Sequence, residues 1–451
     1  MNYDIVIAGG GLVGMASALL FADRIYDAPN TDQFEEKPKI AVLESRAIKA
    51  HQSSTSSVKT SVNSAKGLAL IAPYSSHFDS RSTAISPSTR DIFKSLNLWA
   101  SLEQHITVIS EVHVSDKGHF GRVDFTRDDN AGEDLGYVIE NSWLANNLAD
   151  RVASHPNIDL IGSATVENIV HKKIGAELIA TIQDSGKNGE TKGVKSLHIS
   201  AGLLVLADGA ESNLAEKLGI HSKVHDYRQH ALIANVRFAQ AHKGIAFERF
   251  TENGPLALLP LGESDTSTKA ALVWTHPQEK ISASLKSNDD EFLNALQCAF
   301  GQRLGEFLQV GERVSYPLRL TQADEQVRRS LVLLGNAAHS LHPVAGQGFN
   351  LALRDALVLA DQLRHMHRQG LSFGDLKGLQ NYLCIREQDQ AITVGTSDMF
   401  NRIFTKTKPH WQLGRNLALF GLGALPILKN GFFEQMMGQS SRALVSVNDD
   451  Y

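Results

Sequence analysis

The stretch from Tyr3 to Gly14 reads YDIVIAGGGLVG, and its reading decides the fold. Tyr3–Ala8 is a short, apolar, β-branched run of the kind that forms a fully buried strand. Gly9-Gly10-Gly11 breaks it, and Leu12–Arg24 takes up helical periodicity. After a polar stretch, Asp27–Lys39, the apolar run Ile40–Leu43 ends at Glu44. Strand, turn, helix and strand in that order make a βαβ unit, and with it a parallel sheet. Within the turn, Gly9-x-Gly11-x-x-Gly14 has the spacing of a dinucleotide-binding loop. Gly9 permits the tight turn, Gly11 lets backbone amides approach a pyrophosphate, and Gly14 lets the helix pack close to the strand. The free N–H groups and dipole of the helix start favour negative charge there. Glu44 can accept hydrogen bonds from ribose hydroxyls; its distance from the loop exceeds the usual ~20 residues, and the Asp27–Lys39 insertion accounts for the excess. The loop by itself does not separate FAD from NAD.

Outward from this unit, Ser45–Ser64 is rich in Ser and Thr with no apolar periodicity, and 45–77 reads as a partly mobile surface insertion. Ser86-Pro87 opens a helix running to Leu96, with Ser86 as N-cap and Pro87 at the first helical position. Glu111–Val114 and Arg122–Phe125 alternate polar and apolar around Asp116-Lys117-Gly118, which predicts a hairpin. Trp143–Ala153 reads as helix and Ile158–Ile161 as strand. Leu203–Leu206 reads as a buried strand stopped by Asp208-Gly209. Three or four strands between Ala231 and Trp274 follow one another without helices, so they predict an antiparallel sheet and a second domain. Leu331–Leu334 returns to the buried parallel type, and a helix spans about Phe349 to Arg368. The chain thus leaves its first domain and comes back to it. On that last helix His365 and His367 read as solvated; Tyr382 and Arg386, further on, read as packing and surface-pairing residues.

The 451 residues carry 44 Lys+Arg against 49 Asp+Glu, a formal charge of −5, so no basic footprint for nucleic acid exists. That length implies two or three domains. Cys298 and Cys384 are the only cysteines, which excludes a disulfide scaffold and a four-thiolate metal site and suits a reducing compartment. No His-Glu-x-x-His or Cys-x-x-Cys spacing accompanies the 18 His, so no metal site is expected. Met1-Asn2-Tyr3-Asp4 has neither a basic nor an apolar signal region. The longest apolar stretch, Leu417–Leu428, is too short to span a bilayer and is interrupted by Pro426. A cytoplasmic protein is expected, with peripheral contact to the inner membrane through that patch.

Two later segments repeat the pattern of a buried strand ending in a small-residue loop: Leu204-Val205-Leu206-Ala207-Asp208-Gly209, and Leu334-Gly335-Asn336-Ala337-Ala338-His339 continuing to His342-Pro343-Val344-Ala345-Gly346-Gln347-Gly348-Phe349-Asn350. In a parallel sheet such strand ends converge on the ligand crevice. The three motifs in this order resemble the single-component aromatic-ring flavin monooxygenases, whose fold is that of para-hydroxybenzoate hydroxylase. Asp79–Ser86, Tyr227-Arg228-Gln229, Phe247-Glu248-Arg249-Phe250 and Gly254–Pro260 narrow the resemblance to the ubiquinone-biosynthesis hydroxylases. Val112–Gly121 is similar to the 2-octaprenyl-6-methoxyphenol hydroxylase branch.

The resemblance implies a mixed α/β fold: a Rossmann-like FAD-binding domain (1–110, 137–222 and 321–378), an interleaved substrate domain on a largely antiparallel sheet (111–136 and 223–320), and a C-terminal helical region (379–451). It implies that Gly9, Gly11 and Gly14 hold the FAD pyrophosphate, Glu44 the adenosine ribose, and Asn336 the ribityl chain or pyrophosphate. Arg81 would reach the cofactor, Asp208 and Gly209 would serve FAD and the nicotinamide, and Gly346, Gln347, Gly348 and Asn350 would surround the isoalloxazine. The family usually has Asp where this chain has Asn336, and a basic residue where it has Ala215. His342, Pro343 and Gln347 are the catalytic candidates, with His339 and His342 flanking the flavin loop. The implied reaction is hydroxylation of a 2-polyprenyl-6-methoxyphenol to the 1,4-benzoquinol with O2 and NAD(P)H through a peroxyflavin, the nicotinamide visiting transiently because only one dinucleotide fingerprint is present. Implied partners are the polyprenylated phenol, a ubiquinone-biosynthesis complex and a membrane surface. The rival readings are attack at another ring position, an isoprenoid-reducing flavoprotein, and a non-catalytic FAD-bound assembly subunit.

Overall fold

A computed structural model describes residues 1–25, 37–46, 78, 80–119, 121–185, 191–210, 213–341 and 346–404. Five parallel strands form the centre of an eight-stranded sheet, in the spatial order Leu331–Leu333, Thr191–Leu206, Asn2–Ala8, Ile40–Leu43 and Ile158–Ile161. Ile5, Val6 and Ile7 are all buried because both faces are covered, which is why the strand reads as an unbroken apolar run. On one face Ile5 and Ile7 pack with the helices Leu12–Arg24, Asn141–Ser154 and Gln347–Arg368. On the other, Val6 and Ala8 pack beneath residues of Ala164–His171 and Ala176–Ser185.

The expected strand Leu203–Leu206 is only the end of a 16-residue strand, Thr191–Leu206. Its first part pairs antiparallel with Ala176–Ser185, and its last part pairs parallel with Asn2–Ala8. Ser196, His198 and Ser200 alternate with apolar residues in the first part, so no continuous run announced it.

The second sheet has nine strands and is antiparallel apart from one pair. At its centre Ser222–Phe238 pairs with Lys269–Pro277 and Val314–Ala323, followed outward by Gly254–Leu261 and Ile245–Thr251. The predicted hairpin, Glu111–Asp116 with Arg122–Thr126, joins this sheet through a parallel pairing with Ile245–Thr251. A three-stranded sheet (Ser82–Ile85, Gly136–Glu140 and Ile106–Ile109) lies between the two. Alternation divides its middle strand: Tyr137 and Ile139 enter the first core, while Val138 packs with Ile109, Ala246 and Phe250. Ser86 caps the helix Pro87–Ser95 as read, its hydroxyl accepting from the Thr89 N–H at 3.3 Å.

The 22-residue helix Gln347–Arg368 is buried for most of its length, against Leu12–Arg24 on one side and Leu376–Phe404 on the other. Tyr382 packs in the first core, as read, whereas the expectation of surface pairing for Arg386 is corrected, since its side chain is fully buried. Among the described residues no helix is long and apolar enough to cross a membrane. The Leu417–Leu428 patch and most of the 45–77 insertion lie outside the described residues.

Candidate cofactor site

The loop Gly9–Gly11 sits at the carboxyl end of Asn2–Ala8, and each glycine has its own physical reason. Gly9 adopts φ +113°, and a Cβ there would stand 2.3 Å from the Ala207 carbonyl oxygen. A Cβ on Gly14 would lie 1.8 Å from the Gly9 carbonyl oxygen, so the helix can approach its own turn only without a side chain. Gly11 is different: its φ is −72°, and a Cβ would meet nothing within 4 Å. That is an open cradle lined by backbone. The helix Leu12–Arg24 that starts there has no side-chain cap and no acidic residue in its first turn. Its outward N–H groups and positive dipole end suit a pyrophosphate. The residues present therefore fit a dinucleotide.

Glu44 lies beside this cradle. Its Oε2 accepts the Gly10 N–H at 2.9 Å, and Oε1 accepts the Arg46 N–H at 2.9 Å. Two backbone donors orient the carboxylate and leave further lone pairs for a ribose hydroxyl. The Asp208-Gly209 loop abuts the glycine turn, since Ala207 N–H donates to the Ala8 carbonyl at 2.8 Å. Gly209, at φ +93°, would meet nothing within 4 Å. The third loop, Gly335–Ala337, touches the same helix start: a Cβ on Gly335 would be 3.2 Å from Val13 Cγ1. Asn336 is exposed on that turn. Three loops far apart in sequence thus meet at one end of the parallel strands.

Gly346 starts the helix Gln347–Arg368 with φ +63°, where a Cβ would press on Ala84 Cβ at 3.1 Å. Gln347 and Gly348 form the first turn, and nothing lies within 4 Å of a Cβ on Gly348. Asn350, expected beside the isoalloxazine, has its side chain satisfied by protein partners, one of them in the Gly346 turn itself. Its Oδ1 accepts from Ser86 N–H (2.9 Å) and Thr89 Oγ1 (2.8 Å), and its Nδ2 donates to the carbonyls of Ala84 (3.0 Å) and Gly346 (2.9 Å). Buried, with four protein partners, it fastens the Gly346 turn to the strand and helix before it. Arg81 is exposed, its guanidinium 5.2 Å from the Tyr316 ring centroid on the second sheet. His342 and Pro343 lie outside the described residues.

His339 is buried with its Nε2 3.3 Å from Asp355 Oδ2, which opens onto a network the sequence reading did not anticipate. Arg386 Nε donates to Asp355 Oδ1 at 2.6 Å, Gln390 Nε2 donates to Asp355 Oδ2 at 3.1 Å, and Arg386 Nη2 donates to Asp389. Arg354 Nε reaches the same Asp389 at 2.9 Å. Burial alone would raise both aspartates; Arg386 beside Asp355, with His339, holds that carboxyl below its ordinary range, and Arg354 with Arg386 holds Asp389 at about 2. A signal was present: Arg354-Asp355 interrupts the apolar run LALRDALVLA, where an unpaired ion pair would be costly. The network locks the helix bearing Gly346–Gly348 to the helix Leu376–Phe404.

The FAD binding domain family matches residues 73–373. The ubiquinone hydroxylase UbiL of Rhodospirillum rubrum is 31% identical over 361 residues, covering 80% of this chain and 80% of that protein. The mitochondrial ubiquinone biosynthesis monooxygenase COQ6 of Caenorhabditis elegans is 27% identical, over 95% of this chain and 94% of its own. Among solved structures, the p-nitrophenol 4-monooxygenase PnpA of Pseudomonas putida DLL-E4 shares the fold with a TM-score of 0.71, covering 97% of this chain and 98% of its own at 16% identity. Together with the three converging loops, these matches place the chain in the FAD binding domain family, among the FAD-dependent hydroxylases of ubiquinone biosynthesis.

Proposed function

We propose that the protein is an FAD-dependent monooxygenase of ubiquinone biosynthesis that hydroxylates a 2-polyprenyl-6-methoxyphenol para to its hydroxyl, consuming O2 and NAD(P)H and giving the 1,4-benzoquinol. The observation that carries this reading is the meeting of Gly9–Gly11, Asp208-Gly209 and Asn336 at one end of the parallel sheet, next to an antiparallel sheet. FAD, when bound, supplies the electron acceptor and the activation of dioxygen. The protein supplies binding, orientation and exclusion of water. The amides at the start of Leu12–Arg24 would hold the pyrophosphate, Glu44 the ribose and Asn336 the ribityl chain, while Arg81 closes the site from the second sheet's side. Gly346, Gln347 and Gly348 would border the flavin ring at the positive end of a long helix. The division into an FAD-binding domain around the first sheet and a substrate domain around the second belongs to the same proposal. The names of the curated relatives support the pathway; the ring position rests on the Val112–Gly121 resemblance.

The test is product analysis. Purified FAD-loaded protein is given a short-prenyl 2-methoxyphenol with NADPH and air, and the product is examined by mass spectrometry and NMR. One added oxygen para to the hydroxyl is expected. A catechol would overturn the ring position, a gain of two hydrogens would favour the isoprenoid reductase, and bound FAD without turnover would favour the assembly subunit.

A further inference from the structure

The second sheet turns one face toward its own core and the other toward the small sheet and the candidate site. Register partners across six strands on that second face are Val114, Glu248, Ala257, Val273, Ile233 and Val314. Five are apolar and one is a carboxylic acid. Phe247 and Arg249, its chain neighbours, point to the opposite face, where Phe247 packs with Leu256 and Leu258 and Arg249 donates to Ser115. Along its own face Glu248 is flanked by Ala246 and Phe250, which pack with Val138 of the small sheet.

Contacts connect this face to the candidate site. Val138 is the register partner of Ala84, the residue against which Gly346 turns. Asn235, on the same face, donates to the carbonyls of Phe78 and Ser80 at 2.6 and 2.7 Å, just before Arg81. Tyr316, also on this face, lies under the Arg81 guanidinium. Glu248 therefore looks into the space between the second sheet and the turn proposed to border the flavin. Among the described residues no hydrogen bond or ion pair reaches its carboxyl, and burial alone pushes it up to about 7. No charged side chain on the adjoining strands or the small sheet contributes to that rise. Glu248 is half-buried, so its carboxyl is poorly solvated on an apolar row yet still reachable, which suits a ligand that enters this space and brings a donor.

We propose that Glu248 binds the phenolic hydroxyl of the substrate and accepts its proton as the ring is hydroxylated. The inference rests on the proposed monooxygenase reading and extends it to a residue. The phenol O–H bond breaks and an O–H bond forms on Glu248. The released electron pair becomes the carbonyl of a ring dienone as the para carbon bonds one atom of dioxygen. The dienone then loses its para hydrogen as a proton and its oxygen regains the proton from Glu248, restoring the carboxylate. The ring is oxidised and dioxygen is reduced: NAD(P)H gives a hydride and leaves as NAD(P)+, and that hydrogen, the proton lost at the para carbon and one proton from solution complete the new O–H and the water that carries off the second oxygen. A carboxyl titrating near neutrality suits this exchange.

The experiment compares FAD-loaded native protein with Glu248→Gln and Glu248→Asp, using 2-methoxy-6-prenylphenol and its methyl ether as probes. Equilibrium binding is followed by flavin absorbance between pH 5.5 and 8.5, and turnover is measured separately. Native affinity for the phenol should rise with pH through about 7 and then level, as the carboxylate becomes the acceptor. Glu248→Gln should bind the phenol about tenfold more weakly at pH 8, the loss of one charge-assisted hydrogen bond, and its affinity should not vary with pH. The methyl ether should bind both proteins alike, and Glu248→Asp should restore part of the pH dependence. Equal affinity and equal pH dependence in native protein and Glu248→Gln, with FAD content unchanged, would overturn the role of Glu248. That result would leave native para-hydroxylation untouched, whereas pH-dependent phenol binding without native turnover would sink the monooxygenase reading alone.

Discussion

Replacing Arg386 by Met tests whether the buried ion network holds the flavin-side helix in place. The guanidinium is fully buried and donates to both Asp355 and Asp389. Met preserves the side chain's length and apolar contacts but leaves Asp355, among the described residues, with a hydrogen bond from Gln390 and the nearby His339 in place of a charged partner. Removing one partner of a buried pair costs about 3–5 kcal/mol, because the remaining charge stays desolvated. Asp389, whose drop from 3.8 to about 2 corresponds to about 2 kcal/mol shared between Arg354 and Arg386, accounts for the smaller part of that loss, and stranding Asp355 for the larger. Both aspartates titrate below their unfolded value, so their stabilisation is complete above about pH 5 and is lost as pH falls through the folded value. Urea unfolding followed by tryptophan fluorescence should therefore show Arg386→Met about 3–5 kcal/mol less stable at pH 7, with the gap closing as pH approaches 3. Asp355→Leu combined with Arg386→Met should recover much of the loss, since Asp389 keeps Arg354. A gap below about 1 kcal/mol at pH 7, near the level of an exposed pair, or one unchanged at pH 3, would refute this account of the network.

Gly11→Val should fold normally, because its backbone is already in an ordinary region and the Cβ meets no protein atom; FAD content should collapse while urea stability of the FAD-free protein stays within about 0.5 kcal/mol of native. Full FAD occupancy in that variant would remove the loop from the site. Asn336→Asp should keep FAD and Asn336→Leu should weaken it, with loss of a hydrogen bond costing about 1–3 kcal/mol in a fluorescence titration of FAD. Asn350→Leu should lower unfolding free energy by about 2–4 kcal/mol through its stranded partners, and FAD affinity should fall with it; a stable variant with only FAD affinity lost would instead make Asn350 a direct cofactor contact.

The strand-turn-helix at Tyr3–Arg24 was legible because its determinants are local: a β-branched apolar run, glycines where a Cβ would collide, and helical periodicity directly after. The same holds for the Ser86-Pro87 helix start and the hairpin around Asp116–Gly118, where cap and turn chemistry act within a few residues. The family resemblance added the order of three loops, and the matched relatives bear out that family. What the sequence could not convey was the use of side chains whose partners lie far along the chain. Asn350 reads as a polar residue in a glycine-rich helix start, yet Ser86 and Thr89 occupy its carbonyl from more than 250 residues away. Arg386 belongs to a helix of mixed polarity and looks solvated until the Gln347–Arg368 helix covers it. Glu248 sits in a stretch that resembles the ubiquinone hydroxylases, but only the register shows that its direct partners across the sheet, Val114 and Ala257, are apolar. Local stereochemistry and hydrophobic period are written in neighbouring residues, whereas desolvation depends on which distant surfaces close over a group, and only the packed chain decides that.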